Sequence, residues 1–278
     1  MIDFIDTHCH LDLITRFGSV EQVLSPEEID KTGVIVRSCE GAGVRRLVNV
    51  GASIQGCENS LALAKHCSSV FAVIGIHPTE FNQADYKEKL SSLKKLFESN
   101  LKQDKLVGVG EIGLDFFHKG VNKSAQEYGL AFQIELAIRL GYPISFHLRD
   151  ASEEFLKFVE PYRHQIKGAS IHCFSQDLGF ARVVTEWGFV LGIGGALTYP
   201  KNTRLVDAVR EISLESLVLE TDSPFLPVQS RRGKINYPTA VIDVAQKIAE
   251  IKGLDLEMVA KQATINAERL FGVAASSL

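Results

Sequence analysis

Ile2-Asp3-Phe4-Ile5-Asp6-Thr7-His8-Cys9-His10-Leu11-Asp12 begins as an apolar run, Ile2 to Ile5, that reads as a β-strand, and it ends in a cluster of polar side chains able to bind metal. Side chains alternate along an extended chain, so His8 and His10 share one side while Cys9 points to the other. Neutral imidazole is a common metal ligand. A His-x-His pair carries little weight by itself; the weight comes from the same shape recurring along the chain.

Arg46–Val50 is a second apolar run, and Val70–Gly75 leads into Ile76-His77-Pro78. Lys105–Val109 leads into Gly110-Glu111-Ile112-Gly113-Leu114-Asp115, and Pro143–Phe146 into His147-Leu148-Arg149-Asp150. Ala169–Ile171 leads into His172-Cys173-Phe174, Phe189–Ile193 into a glycine-rich turn, and Leu217–Leu219 into Glu220-Thr221-Asp222-Ser223-Pro224. Helical signals fill the intervals. Residues 14 to 36 read loosely as loop plus helix, with a start at Ser25-Pro26-Glu27-Glu28. Further helices are expected from Ser53 to about His66, from about Ala84 to Asn100 with Leu90, Leu93 and Leu96 at helical spacing, and after a Ser124/Glu127 capping box with Ala131, Ile134 and Ile138 on the apolar face. Two more, about Ala240–Ile251 and Leu256–Phe271, close the chain.

Eight runs alternating with helices predict a parallel sheet with right-handed crossovers. Eight such units in roughly 250 residues is the size of a (β/α)8 TIM barrel, whose chemistry sits at the C-terminal ends of its strands. The polar clusters fall at those ends. No Gly-x-Gly-x-x-Gly follows the first run, as a dinucleotide-binding open sheet would require, and no linker divides residues 1–278, so a single domain is expected.

The chain of 278 residues is 45% hydrophobic and 23% charged, enough for a large core. Its net charge of -4 is not the footprint of a protein that coats DNA, so any nucleic acid is expected to be handled at a local site. Five scattered cysteines without a Cys-x-x-Cys pair argue against a disulfide framework and suggest a reducing compartment. Met1-Ile2-Asp3-Phe4 lacks a basic region before a long apolar core, and no apolar run approaches the ~18 residues of a membrane helix. A cytoplasmic location with no membrane contact and no obligate protein partner is expected.

The strand-end ligand candidates are His8, His10, Glu111, His147, His172 and Asp222. Mixed imidazole and carboxylate donors suit Zn²⁺, Mn²⁺ or Fe, and Mg²⁺ when water and substrate complete the shell. Six side chains are too many for one catalytic ion with an open position and suit two ions about 3.5–4 Å apart. Such a pair lowers the pKa of bound water toward ~7, and Asp222 is expected to orient that water. Arg149, on the same face as His147, is positioned to clamp a phosphate oxygen. Arg231, Arg232, Lys234 and Asn236 follow the last strand closely and read as a phosphate-contacting loop, with Lys201, Asn202 and Arg204 as a second contact. His77 and Glu220 also stand at strand ends, where a supporting and a structural role are both open. His66, His118 and His164 read as surface histidines. Cys9 and Cys173 each follow a ligand candidate and are expected to face away from it into the core.

Taken together, these stretches resemble the TatD-type metal-dependent deoxyribonucleases of the amidohydrolase-like superfamily. The motifs Asp6–Asp12, Gly75–Pro78, Gly110–Asp115, His147–Ala151, His172–Phe174, Glu220–Pro224 and Arg232-Gly233-Lys234-x-Asn236-x-Pro238 come in family order and span nearly the whole chain. The resemblance implies that His8, His10 and Asp222 hold one metal, His147 and His172 the other, with Glu111 bridging and His77 close to the scissile group. It implies Mg²⁺-dependent hydrolysis of DNA, exonucleolytic from 3′ ends, on a TIM barrel. Two features depart from the family: residues 14 to 36 are longer than expected, and Tyr237 stands where an acid is expected. The competing readings are a deacylase or amidohydrolase attacking a carbonyl, as in aminoacyl-tRNA, and a non-catalytic binding barrel.

Overall fold

The computed structural model describes residues 2–17, 22–82, 84–117 and 119–273. Eight parallel strands, β1 (Phe4–Cys9), β2 (Val44–Gly51), β3 (Val70–Ile74), β4 (Leu106–Asp115), β5 (Ile144–Arg149), β6 (Ala169–Ile171), β7 (Val190–Ile193) and β8 (Leu217–Leu219), pair each with the next. Helices wrap the outside, so nearly every strand residue is buried on both faces. The ring closes where Asp222 N–H donates to the His8 carbonyl at 2.9 Å and His10 N–H to the Ser223 carbonyl at 2.7 Å. Side chains reinforce this seam. Thr7 Oγ1 donates to the Leu219 carbonyl at 2.9 Å, and the Asp6 carboxylate accepts from both Thr221 N–H and the Thr221 hydroxyl. The fold is the (β/α)8 barrel expected from the alternation.

Two apolar layers build it. The larger lies between strands and helices; the smaller fills the barrel with Ile5, Val48, Val50, Val73, Val107 and Val218. Strict alternation from inward Ile5 would also turn Cys9 inward, yet Cys9 packs in the outer layer. A register shift between Asp6 and Cys9 reverses the parity, turning His8 inward toward Glu111 and bringing His10 to the mouth. A second shift, between Gly110 and Ile112, sets Ile112 and Leu114 in the outer layer and Glu111 inside. Irregularities of this kind re-aim side chains beside functional sites.

The helices differ from expectation at one place. The helix Lys123–Leu140 is capped by Asn122, whose side chain accepts from Ala125 N–H at 3.1 Å, and not by a Ser124/Glu127 box. Its buried face is Ala125, Leu130, Ile134 and Ala137 together with Gln126 and Gln133, while Ala131 and Ile138 are only half-buried. The two amides explain the shift of face. Gln126 bonds both backbone groups of Asp115 at the end of β4, and Gln133 both backbone groups of Ile76, next to His77. A capping box does occur at Ser25 and Glu28, opening the helix Pro26–Gly41. Among the described residues, no helix is long and apolar enough to cross a membrane.

Candidate metal centre

A cavity of about 670 Å³ opens at the C-terminal ends of the strands, lined among others by His10, His77, Glu111, His147, His172 and Asp222. Glu111 is its midpoint. Oε2 lies 3.5 Å from His8 Nε2 and 3.9 Å from His10 Nε2; Oε1 lies 2.6 Å from His147 Nδ1, 2.9 Å from His172 Nε2 and 3.6 Å from His77 Nε2. Asp222 Oδ1 stands 3.3 Å from His10 Nε2 and 4.0 Å from His8 Nε2. One carboxylate therefore faces two histidine groups, and the second carboxylate serves only one of them.

Each of the four histidines turns one nitrogen inward; in three the other is hydrogen-bonded, and in His172 it stands near a buried carboxylate without a hydrogen bond. His10 Nδ1 donates to the Val50 carbonyl at 2.8 Å, His8 Nδ1 meets Ser145 Oγ at 3.2 Å, His147 Nε2 meets Asp115 Oδ2 at 3.1 Å, and His172 Nδ1 lies 3.4 Å from Glu220 Oε1. Outer partners of this sort orient metal-binding imidazoles. Glu220 is fully buried, is fixed by Cys173 N–H at 2.5 Å, and lies where a Cβ on Gly192 would come within 2.0 Å of its Oε2.

Charge follows from these contacts. Burial opposes ionisation of Glu111, but His172, His77 and His147 hold its carboxyl well below the usual range. Burial likewise works against a charged His10, yet Asp222 outweighs it and lifts the imidazole to about 9. His77 goes the other way. Burial lowers it to about 3, and the Glu111 charge offsets this only in part. Its Nδ1 accepts from Thr79 N–H at 3.2 Å, so neutral His77 carries its proton on Nε2, toward Glu111.

The donors fit divalent cations. The ligand atoms of His8, His10 and Glu111 lie within 4.8 Å of one another, as do those of His77, Glu111 and His147. His8 Nε2 is buried and has no hydrogen-bond partner, an orphaned ring nitrogen 3.5 Å from Glu111 Oε2.

A family model described as TatD related DNase matches residues 5–272. The chain belongs to that family. A relative described as the uncharacterized metal-dependent hydrolase YabD of Bacillus subtilis is 31% identical over 96% of this chain and 98% of its own length. One described as the 3′-5′ ssDNA/RNA exonuclease TatD of Citrobacter rodentium is 30% identical, covering 87% of this chain and 92% of the relative. The crystal structure of YjjV, a TatD homolog from Escherichia coli, superposes with a TM-score of 0.86 at 28% identity, over 98% of each chain.

Of the motif residues, the six ligand candidates converge on Glu111 and Asp222, with His77 beside them. The phosphate candidates do not all join them. Arg149 lines the cavity, exposed, with its guanidinium 3.5 Å from the centre of the Phe117 ring. Arg232 lies over Tyr199 in a separate groove with Lys201 and Asn202, and Lys234 is exposed nearby. Asn236 corrects the expectation. It is buried, its amide N–H groups donate to the Thr221 and Phe225 carbonyls at 2.9 and 2.8 Å, and its oxygen accepts from Tyr237 N–H, so no polar group is left for a phosphate.

Cys173 is a second correction. It lines the cavity, because a left-handed backbone at φ 47° turns it away from the core that Cys9 fills. His66 and His164 are exposed as expected, and His118 lies outside the described residues. Asp115, which holds His147 Nε2, is absent from the expected site residues. Its place within the Gly110–Asp115 motif, one strand alternation from Gly113 and two from Glu111, was the available signal.

Proposed function

We propose that this protein is a metal-dependent phosphodiesterase that removes nucleotides from the 3′ end of single-stranded or 3′-recessed DNA, with two divalent ions, Mg²⁺ for activity and Zn²⁺ or Mn²⁺ as alternatives. The observation that carries this reading is the Glu111 carboxylate, with one oxygen toward His8 and His10 and the other toward His147 and His172. His8, His10 and Asp222 would hold one ion, His147 and His172 the other, and Glu111 both. The exonuclease named among the relatives supports a nucleic-acid substrate.

Bound divalent ions supply Lewis acidity, offsetting phosphodiester charge and acidifying water. The chain's own groups do the rest. Asp222, ionised because its bond to His10 outweighs its burial, orients the attacking water and accepts its proton. Neutral His77 offers Nε2–H to an oxygen of the scissile phosphate, and Arg149 on the rim takes a neighbouring phosphate. Asp115, Glu220, Ser145 and the Val50 carbonyl keep the four imidazoles from turning.

The test is mononucleotide release from 3′-labelled single-stranded DNA with Mg²⁺, comparing wild type with Glu111→Ala. Release by the wild type that is lost in the variant is expected. A wild type that releases nothing sinks the reading in favour of carbonyl hydrolysis, and release unaffected by the substitution removes the chemistry from this cavity.

A further inference from the structure

Large aromatic rings stand exposed on two sides of the cavity mouth. Phe17 is 51% and Phe225 41% exposed, with ring centroids 5.9 Å apart and planes tilted by 54°. Phe225 also stands edge-on to His10, at 6.1 Å. Burying such rings would stabilise the fold, yet both stay exposed beside anchored groups. Arg16, next to Phe17, is buried and donates to Glu28, to the Gln22 carbonyl at 2.6 Å and to the Val23 carbonyl at 2.9 Å. Asn59 completes the clamp, accepting from Leu24 N–H and donating to Gln22. Phe225 is tied through its N–H to the Asp222 carbonyl at 2.8 Å and through its own carbonyl to Asn236.

Phe17 and Phe225 follow β1 and β8, which adjoin. Phe117 and Arg149, at the ends of β4 and β5, lie on the opposite side of the eight-stranded ring. There the guanidinium covers the Phe117 ring while reaching the same cavity.

We propose that Phe17 and Phe225 form a stacking platform for an unpaired nucleobase beside the metal centre, and that the Arg149 guanidinium, with one face on Phe117, takes a second base on its open face across the mouth while its N–H edge serves the phosphate. This rests on the reading of the cavity as a nucleic-acid site. Aromatic faces accept any base, and a planar guanidinium adds cation–π attraction, so the platforms select unpaired strands and not a sequence. A base held in a duplex has both faces covered by its neighbours and is refused until the end opens. The Arg16 clamp to residues 22, 23 and 28 thereby acquires a purpose, since it holds the residue next to Phe17.

The test is equilibrium binding of fluorescently labelled, phosphorothioate-linked oligodeoxythymidylate, which resists hydrolysis, to the full chain with Mg²⁺. Wild type is compared with Phe17→Ala, Phe225→Ala and Phe225→Trp, and each is repeated with a strand whose terminal residues are abasic. Loss of either ring is expected to raise Kd at least about fivefold, with Trp at 225 retaining affinity and the abasic strand binding weakly and indifferently to all three substitutions. Unchanged Kd in both alanine variants, or an abasic strand held as tightly as the intact one, overturns the platform; nucleotide release by the wild type would leave the nuclease reading standing. Ring-dependent binding without any release does the reverse.

Discussion

β4 runs ten residues and carries Glu111 and Asp115 inside a backbone ladder to β5, whereas β8 stops at Leu219 after three residues and Asp222 follows on a turn held by side chains. In the first region Gly113 lies opposite His147, so close that a Cβ there would come within 1.8 Å of the His147 carbonyl oxygen. The backbone alone sets the distance between the two strands' functional groups. In the second, Asp222 sits at φ 54°, a conformation that costs a non-glycine residue energy, and Asp6, Thr221, Ser223 and Asn236 bond around it. Ladder geometry survives loss of any one side chain, whereas a buried network depends on every member.

The largest effect should come from the carboxylates themselves. Glu111→Ala is expected to lose both ions and lower nucleotide release by about 10³-fold or more, while Asp222→Ala retains the ion on His147 and His172. Metal content after dialysis checks this, and two ions retained without Glu111 would break the bridging assignment. Asp115→Ala comes next. With His147 Nε2 released, metal affinity or turnover should fall about 10–100-fold, and the denaturant midpoint should stay nearly where it was because the ladder holds β4.

At the β8 end the balance should invert. Asn236→Ala leaves the Thr221 and Phe225 carbonyls without their donor and should cost about 1–3 kcal/mol in urea unfolding. Unchanged stability with a raised KM would instead restore Asn236 as a phosphate contact. The smallest effect belongs to the Arg16–Glu28 clamp. Arg16 draws the Glu28 carboxyl from 4.5 down to about 2, so the folded state favours the charged form. That contribution is fully present above pH 4.5 and fades as pH falls toward 2. Protection factors of the amides at residues 22–28, each exchange rate taken against the intrinsic rate at that pH, should therefore fall over that interval and remain flat between pH 5 and 8.

The two regions were also unequally legible in the sequence. Glu111, His147 and His172 each end an apolar run, and a run followed by a polar cluster is a local pattern that survives without any knowledge of neighbours. Asn236 shares a loop with Arg231, Arg232 and Lys234, and composition put all of them on one phosphate path. Its burial depends on Thr221 and Phe225, which no periodicity connects to it. The apolar face of the helix Lys123–Leu140 departs from its helical spacing for a related reason, since Gln126 and Gln133 are polar residues facing inward to serve the ends of β4 and β3.

What the sequence determined by itself was the barrel, the end of it that carries chemistry, and the set of metal-competent side chains, because strand period, helix period and residue type are local properties. Only the tertiary structure decided which nitrogen of each histidine faces inward, what occupies the other, and how register shifts in β1 and β4 turn His8, His10 and Glu111 into one cavity. His8 meets Ser145 across 137 residues of chain and Thr221 meets Asp6 across 215. Contacts at such separations exist only once the ring has closed, so no stretch of sequence records them.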